Sequence, residues 1–199
     1  CMQKALFLLI LLFGLSGFSP ADNGRAIWVV LQGSSLTVNG STNINTFQCV
    51  IPNYSMPDTV SLLRSNQKGV QLPMNGRLNL NVEDFDCHNK MMTSDLRKTL
   101  KAKTYPVLTV RFVSVNGFPD LKNPAKITGI VDITLAGVTK RFEINYLFSS
   151  EEKQQIQLKG DQQIHFSDFN LTPPSKLGGV IKAKNELKVE FTLHLKPLA

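Results

Sequence analysis

Histidine and cysteine are scarce, with three of each in 199 residues. No Cys-x-x-Cys or His-x-x-x-His spacing gathers them, which excludes the common local zinc motifs. The chain also lacks a Gly-x-Ser-x-Gly elbow, a phosphate-cradling glycine loop and a paired-carboxylate motif, so no sequence signature of hydrolytic or nucleotide chemistry is present. Charge is thin at 19% of residues, and bases outnumber acids 22 to 15 for a formal charge of +7. Those bases are spread along the chain, without an Arg-rich arm or an aromatic RNA-binding string, and no nucleic-acid partner is expected. At 42% hydrophobic, with no Gly-X-Y or heptad bias, the chain is too apolar for disorder and has no fibrous repeat. Its length suits one domain with a substantial core.

The single long apolar run lies at the start. Lys4 is followed by the uninterrupted stretch Ala5 to Phe13, then by small residues ending in Ser19-Pro20-Ala21 before Asp22. A basic start, an apolar centre and small residues at the minus-three and minus-one positions have the form of a secretory signal peptide, with cleavage expected after Ala21. A membrane anchor is the rival reading, but a span needs about 20 strongly apolar residues and this run weakens after Phe13. The expected domain is therefore 22–199, in an exported protein. Removing residues 1–21 takes away one base, Lys4, and no acid, so +7 becomes +6. Cys1 precedes Met2 and has no lipobox upstream.

Export changes the meaning of the two remaining cysteines, Cys49 and Cys87. In an oxidising compartment an even pair is a disulfide candidate. A metal site or a catalytic thiol is the alternative, yet the nearest histidine, His88, is merely the neighbour of Cys87.

Most of the remaining chain alternates apolar and polar residues with period two. Leu187, Val189, Phe191, Leu193 and Leu195 alternate with Lys188, Glu190, Thr192, His194 and Lys196, the pattern of a strand with one buried and one wet face. Phe142, Ile144, Tyr146 and Phe148 repeat it, as do Ile127, Val131, Ile133 and Leu135, Leu78, Leu80 and Val82, and Ile156, Leu158, Ile164 and Phe166. Ala136-Gly137 has the form of a tight hairpin turn, and Asn39-Gly40, Asn75-Gly76 and Asn116-Gly117 are expected to supply left-handed conformations at turns or bulges. Long strands with short linkers favour an all-β, closed antiparallel barrel over a sandwich, because closure removes exposed edges.

One segment breaks the period. From Lys90 to Ala102, Met92, Leu96 and Leu100 fall at i, i+4 and i+8, Asn89 is placed to cap the start, and Tyr105-Pro106 forces the chain to extend. The spacing predicts one short amphipathic helix. Its inner face is expected to meet the barrel interior as a lid over a cavity or as a permanent plug, and its outer face to carry Arg97, Lys98 and Lys101, with Lys103 beyond, within reach of an anionic membrane surface.

The helix-then-strand segment Asn89 to Phe112, N-K-M-M-T-S-D-L-R-K-T-L-K-A-K-T-Y-P-V-L-T-V-R-F, resembles that of the YceI-like family. Ile130 to Lys140, I-V-D-I-T-L-A-G-V-T-K, is similar to that family's hairpin, and D-F-N-L-T-P-P from Asp168 to Pro174, followed by Gly179, to its late loop. The likeness spans roughly Ala26 to Pro197. It implies an eight-stranded antiparallel lipocalin-like β-barrel in the bacterial periplasm, holding a polyisoprenoid or isoprenoid quinone in an apolar interior, with no other cofactor. The cysteine pair, Cys49 and Cys87, and a shortened, Asn-rich opening from Leu36 to Phe47 depart from the pattern and leave the size and mouth of the cavity open.

The inward faces expected to line that interior carry Leu80, Val110, Phe112, Val131, Ile133, Phe142, Ile144, Tyr146, Phe166, Phe191 and Leu193, closed by Met92, Leu96 and Leu100 of the helix. Tyr146 is placed either to meet a ligand head or to satisfy a core polar atom. An eight-stranded barrel is just wide enough to be filled by its own side chains or to hold one small ligand. A binding protein for an isoprenoid lipid and a filled structural or interaction module of the envelope are thus both open, and no catalytic constellation is expected.

Overall fold

A computed structural model describes residues 24–54, 56–65 and 69–198. The expected signal peptide and Cys1 lie outside the described residues.

The elements are β1 (Arg25–Val30), β2 (Ser34–Thr42), β3 (Thr46–Tyr54), β4 (Thr59–Leu63), β5 (Gln71–Asn81), α1 (Lys90–Thr99), β6 (Val107–Asn116), β7 (Lys126–Leu135), β8 (Val138–Ser150), β9 (Ile156–His165), β10 (Ser175–Lys176) and β11 (Ile181–Pro197). All strand pairings are antiparallel, in the order β1-β4-β5-β6-β7-β8-β9-β11, and β11 returns to β1 to close a ring of eight. The β2–β3 hairpin extends that ring: β2 continues β1 along β11, and β3 pairs with β2 as β4 pairs with β1. Two of the eight staves are therefore broken strands. The breaks are stitched by side chains, because a break leaves backbone groups that need partners. Gly33 N–H donates to Asn53 Oδ1 at 2.7 Å, the Tyr54 hydroxyl donates to Asp58, and Asn79 N–H donates to the Tyr54 oxygen at 3.1 Å.

Period two decides what faces in. Trp28, Val60, Leu62, Met74, Phe112, Val131, Tyr146, Phe148, Leu158 and Leu195 are buried in the interior. On the opposite face of β6, β7 and β8, Arg111, Asp132 and Arg141 form one row in register. Arg141 grips Asp132 at 2.7 and 3.0 Å, and Arg111 binds the same carboxylate.

Turn chemistry follows the sequence in part. Ala136 and Gly137 both have positive φ, as a two-residue hairpin of this hand requires, and Gly117 is left-handed as well. Gly40 and Gly76 differ from expectation: neither is left-handed, and each lies inside a strand, Gly76 at the register shift of β5 against β6. A Cβ at Gly40 would overlap the ring of Phe47, its partner across the ladder.

The helix is shorter than the spacing predicts, Lys90–Thr99 rather than Lys90 to Ala102. Asn89 accepts from the Met91 and Met92 amides, at 3.0 and 3.1 Å, to begin it. Lys101 turns left-handed to end it, with Ala102 N–H returning to Arg97 O and Lys101 N–H to Lys98 O, a Schellman closure in which a lysine fills the usual glycine position. Among the described residues no helix is long and apolar enough to cross a membrane.

Candidate functional site

α1 covers the barrel end at which β2, β5, β7 and β9 finish. Leu96 and the capping residue Leu100 are buried against the core, and Met92 packs half-buried beside them. Three attachments hold the helix down. The Cys49–Cys87 disulfide ties its approach to β3, next to a pair of 2.8 Å backbone hydrogen bonds between Val50 and Asp86. Arg97 donates to the carbonyls of Glu83 and Phe85 and pairs with the Glu83 carboxylate at 3.1 Å. Asp95 binds Lys176 of β10 at 2.6 Å.

Two hollows flank the helix. On one side a polar groove is lined by Glu83, Asp86, Lys90, Lys98, Lys101 and Lys103. On the other an apolar pocket of ≈ 240 Å³ lies between α1, the β2–β3 turn and the start of β11. Its floor is Cys49, Leu96 and Phe166, all buried, and its walls are Phe47, Met92, Pro174 and Ile181, with Ile44 and Met91 at the lip.

Of the fourteen residues that sequence placed around a cavity, this pocket takes Met92, Leu96 and Phe166. The other eleven lie deeper, packed on one another: Leu80, Leu100, Phe112, Val131, Ile133, Ile144, Tyr146 and Leu193 are buried, and Val110, Phe142 and Phe191 pack half-buried against them. Aromatic rings occupy the barrel centre, where Tyr146 lies 6.3 Å from Phe112, 6.3 Å from Phe148 and 6.0 Å from Phe191 between centroids. The Tyr146 hydroxyl is buried without a hydrogen-bond partner among the described residues, so the role of satisfying a core polar atom is not the one it fills. Burial pushes its ionisation above the ordinary phenol range.

Sequence reasoning missed Ile44, Phe47, Met91 and Ile181. The signal was an isoleucine inside an Asn-rich turn and a second methionine beside Met92, off the i, i+4 stripe. It also placed Arg97 among free outer charges, whereas the structure uses Arg97 as a clamp, because its guanidinium reaches two carbonyls that the short turn at Val82–Asp84 and Phe85 leave open.

The histidines are apart. His194 Nδ1 meets Glu151 at 2.8 Å on the outer side of β11, His165 starts a short turn closed by Asp168, and His88 has left-handed backbone before the helix. Among the described residues no group of three or more His, Cys, Asp or Glu side chains is placed to hold a metal ion.

Residues 24–195, the span of this closed barrel and its capping helix, match the family model of the YceI-like domain. The chain belongs to the YceI-like family. Among solved structures, this YceI-like chain is similar to Burkholderia cenocepacia BcnA, at 16% identity and a TM-score of 0.61 over 81% of this chain and 94% of that one. It is equally similar to a polyisoprenoid binding domain from Saccharophagus degradans implicated in plant cell wall breakdown, at 15% identity and a TM-score of 0.61 over 87% and 99%. At these identities the likeness is one of fold. No curated protein matches the chain in a sequence comparison.

Proposed function

We propose that this YceI-like protein is a periplasmic binding protein and carrier for an isoprenoid lipid, and not an enzyme. The observation that carries the reading is the apolar pocket beside α1, whose floor of Cys49, Leu96 and Phe166 is part of the buried core. Such walls bind an aliphatic chain by burial alone, at about 0.8 kcal/mol per CH2, with no need for a polar partner. The polyisoprenoid binding domain of the same fold supports the ligand class. The Cys49–Cys87 disulfide supports an oxidising compartment such as the periplasm.

The pocket's ≈ 240 Å³ falls below the roughly 300 to 1,000 Å³ common for small-molecule sites. In this reading it receives the leading isoprene units of a longer chain. The aromatic centre supports a second reading, a structural or interaction module of the envelope whose barrel is filled by Tyr146, Phe148, Phe112 and Phe191.

Organic extraction of the exported protein followed by mass spectrometry separates the two. A stoichiometric isoprenoid, lost when Leu96→Asp is introduced into the pocket floor, is the expected result. Protein that yields no apolar molecule, and that takes up none when offered a polyprenol, removes the carrier and leaves the module.

A further inference from the structure

Among the described residues, the four most exposed large apolar side chains are Leu177 at 75%, Val180 at 69%, and Ile44 and Met91 at 65% each; the next, Met56, is at 54%. They come from three separate stretches of the sequence, yet the fold brings them to the rim of one pocket. Ile44 and Met91 are part of its lip, and Leu177 and Val180 form the tip of the β10–β11 hairpin, whose Lys176 and Ile181 also line it.

The rim is a single connected piece. Asn43 Nδ2 donates to Val180 O at 2.9 Å and Asn43 Oδ1 accepts from Lys182 N–H at 3.0 Å, which fastens the turn bearing Ile44 to the hairpin bearing Leu177 and Val180. The Asp95–Lys176 ion pair fastens that hairpin to α1, where Met91 stands one turn before Asp95 on the same face. Leu177 holds left-handed backbone, φ 52°, beside Gly178 and Gly179, which are left-handed too. A leucine at a position that favours glycine, with its side chain in water, is a strained arrangement that packing within the chain does not explain.

Charge at the rim has one sign to spare. Asp95 is the acid lining the pocket, and Lys176 matches it at 2.6 Å. Lys182, whose side chain reaches the hairpin tip beside Gly179, has no ion-pair partner among the described residues, whereas Lys90 faces the polar groove on the other side of the helix.

We propose that this rim is a membrane-docking surface: Ile44, Met91, Leu177 and Val180 enter the interfacial layer of an anionic bilayer while Lys182 meets its headgroups. Apolar tips with an unpaired base alongside are the combination that anchors a protein at such an interface. Side chains spread over three elements around a hollow suit a fluid surface that conforms to each of them; a rigid protein partner would have to fill the hollow too. The use of this docking, delivery of a lipid chain to the pocket without passage through water, rests on the carrier reading. The docking itself does not.

The test is cosedimentation of the ligand-free protein with vesicles of phosphatidylcholine, alone or mixed with phosphatidylglycerol and free of isoprenoid. The variants are Leu177→Asn with Val180→Thr, chosen because asparagine tolerates left-handed backbone, and Lys98→Glu with Lys101→Glu in the opposite groove. Binding to the anionic vesicles that weakens with salt, falls roughly tenfold in the rim variant at unchanged melting temperature, and stays within about twofold in the groove variant, is the expected result. A parent protein indifferent to both vesicles overturns the proposal and assigns the rim to a protein partner. A rim variant that binds like the parent, or a groove variant that loses binding equally, also overturns it. Vesicle binding by a protein that carries no isoprenoid when isolated and takes up none when offered a polyprenol keeps the docking and removes the carrier, so the two failures are distinct.

Discussion

Tyr146 and Phe191 meet edge to face across Gly160, with centroids 6.0 Å apart and planes inclined at 67°. Both are register partners of that glycine, one from β8 and one from β11. A Cβ at Gly160 would overlap the ring of Phe191 and crowd Ile144 at 3.2 Å, and one at Gly129 would overlap Tyr146 from the other side. The barrel interior is thus filled by rings that exist there because two inward positions have no side chain.

Gly160→Val is expected to force those rings apart and destabilise the fold by about 1 to 3 kcal/mol, as overpacking does. Urea unfolding measures it. A variant as stable as the parent would show that the rings move freely and the core is not packed as described.

Tyr146→Phe removes a buried hydroxyl that has no partner among the described residues. Since an unsatisfied buried donor costs about 1 to 3 kcal/mol, the variant is expected to be at least as stable as the parent. Chemical denaturation of ligand-free protein decides it. A clear loss of stability would mean that the hydroxyl is bonded in solution.

Cys49 and Cys87 are 38 residues apart, and a cross-link over a loop of that size stabilises by roughly 4 kcal/mol in the chain-entropy model. Thiol titration of unfolded, unreduced protein beginning at Asp22 is expected to find no free thiol. Cys49→Ser with Cys87→Ser should lower stability and speed amide exchange in the first turn of α1. Two reactive thiols in the parent would end this account.

Arg97→Glu and Lys98→Glu are expected to diverge. Arg97 holds two carbonyls and a carboxylate, whereas Lys98 lines a polar groove. Loss of the clamp releases the Glu83 and Phe85 carbonyls and the Glu83 carboxylate together and should lower the melting temperature clearly, while an exposed charge reversal is worth about 1 kcal/mol or less. Equal melting temperatures for the two variants would remove Arg97 from the structural role.

Asp132 has its carboxyl held down to about 2, from an ordinary 3.8, chiefly by hydrogen bonds from Arg141 and then from Arg111, against partial desolvation. A depressed carboxyl stabilises the fold above its ordinary range, and the contribution fades as pH falls from about 4 through 2. Asp132→Asn should therefore be less stable than the parent at neutral pH, by roughly 1 kcal/mol for so exposed a pair of arginines, and the gap should close towards pH 2. Parallel acid-unfolding curves with a constant gap would contradict this.

Strand faces were legible because side-chain direction in a strand has period two and depends on nothing beyond the neighbours. Leu80, Val131, Ile144, Tyr146 and Leu193 all lie inward on that rule alone. The helix was legible by its spacing, and its end was not: Lys101 takes the left-handed closing position without the glycine that usually marks it. Likewise Asn39-Gly40 reads as a turn, but the Phe47 ring that fills the space beside Gly40 comes from the facing strand.

The chain's own pattern determined a barrel of alternating strands, one amphipathic helix and a cysteine pair, since each follows from local periodicity or from counting. Only the tertiary structure decided where an opening remains. Whether an inward phenylalanine lines a cavity or fills it depends on what faces it across the barrel, and there Gly129 and Gly160 admit the rings of Tyr146 and Phe191. The pocket instead opens between α1 and two turns whose residues, Ile44, Met91 and Ile181, stand at unrelated places in the chain. Hydrogen bonds from Asn43 and the Asp95–Lys176 pair bring those segments together, and contacts of that range leave no period in a sequence to read.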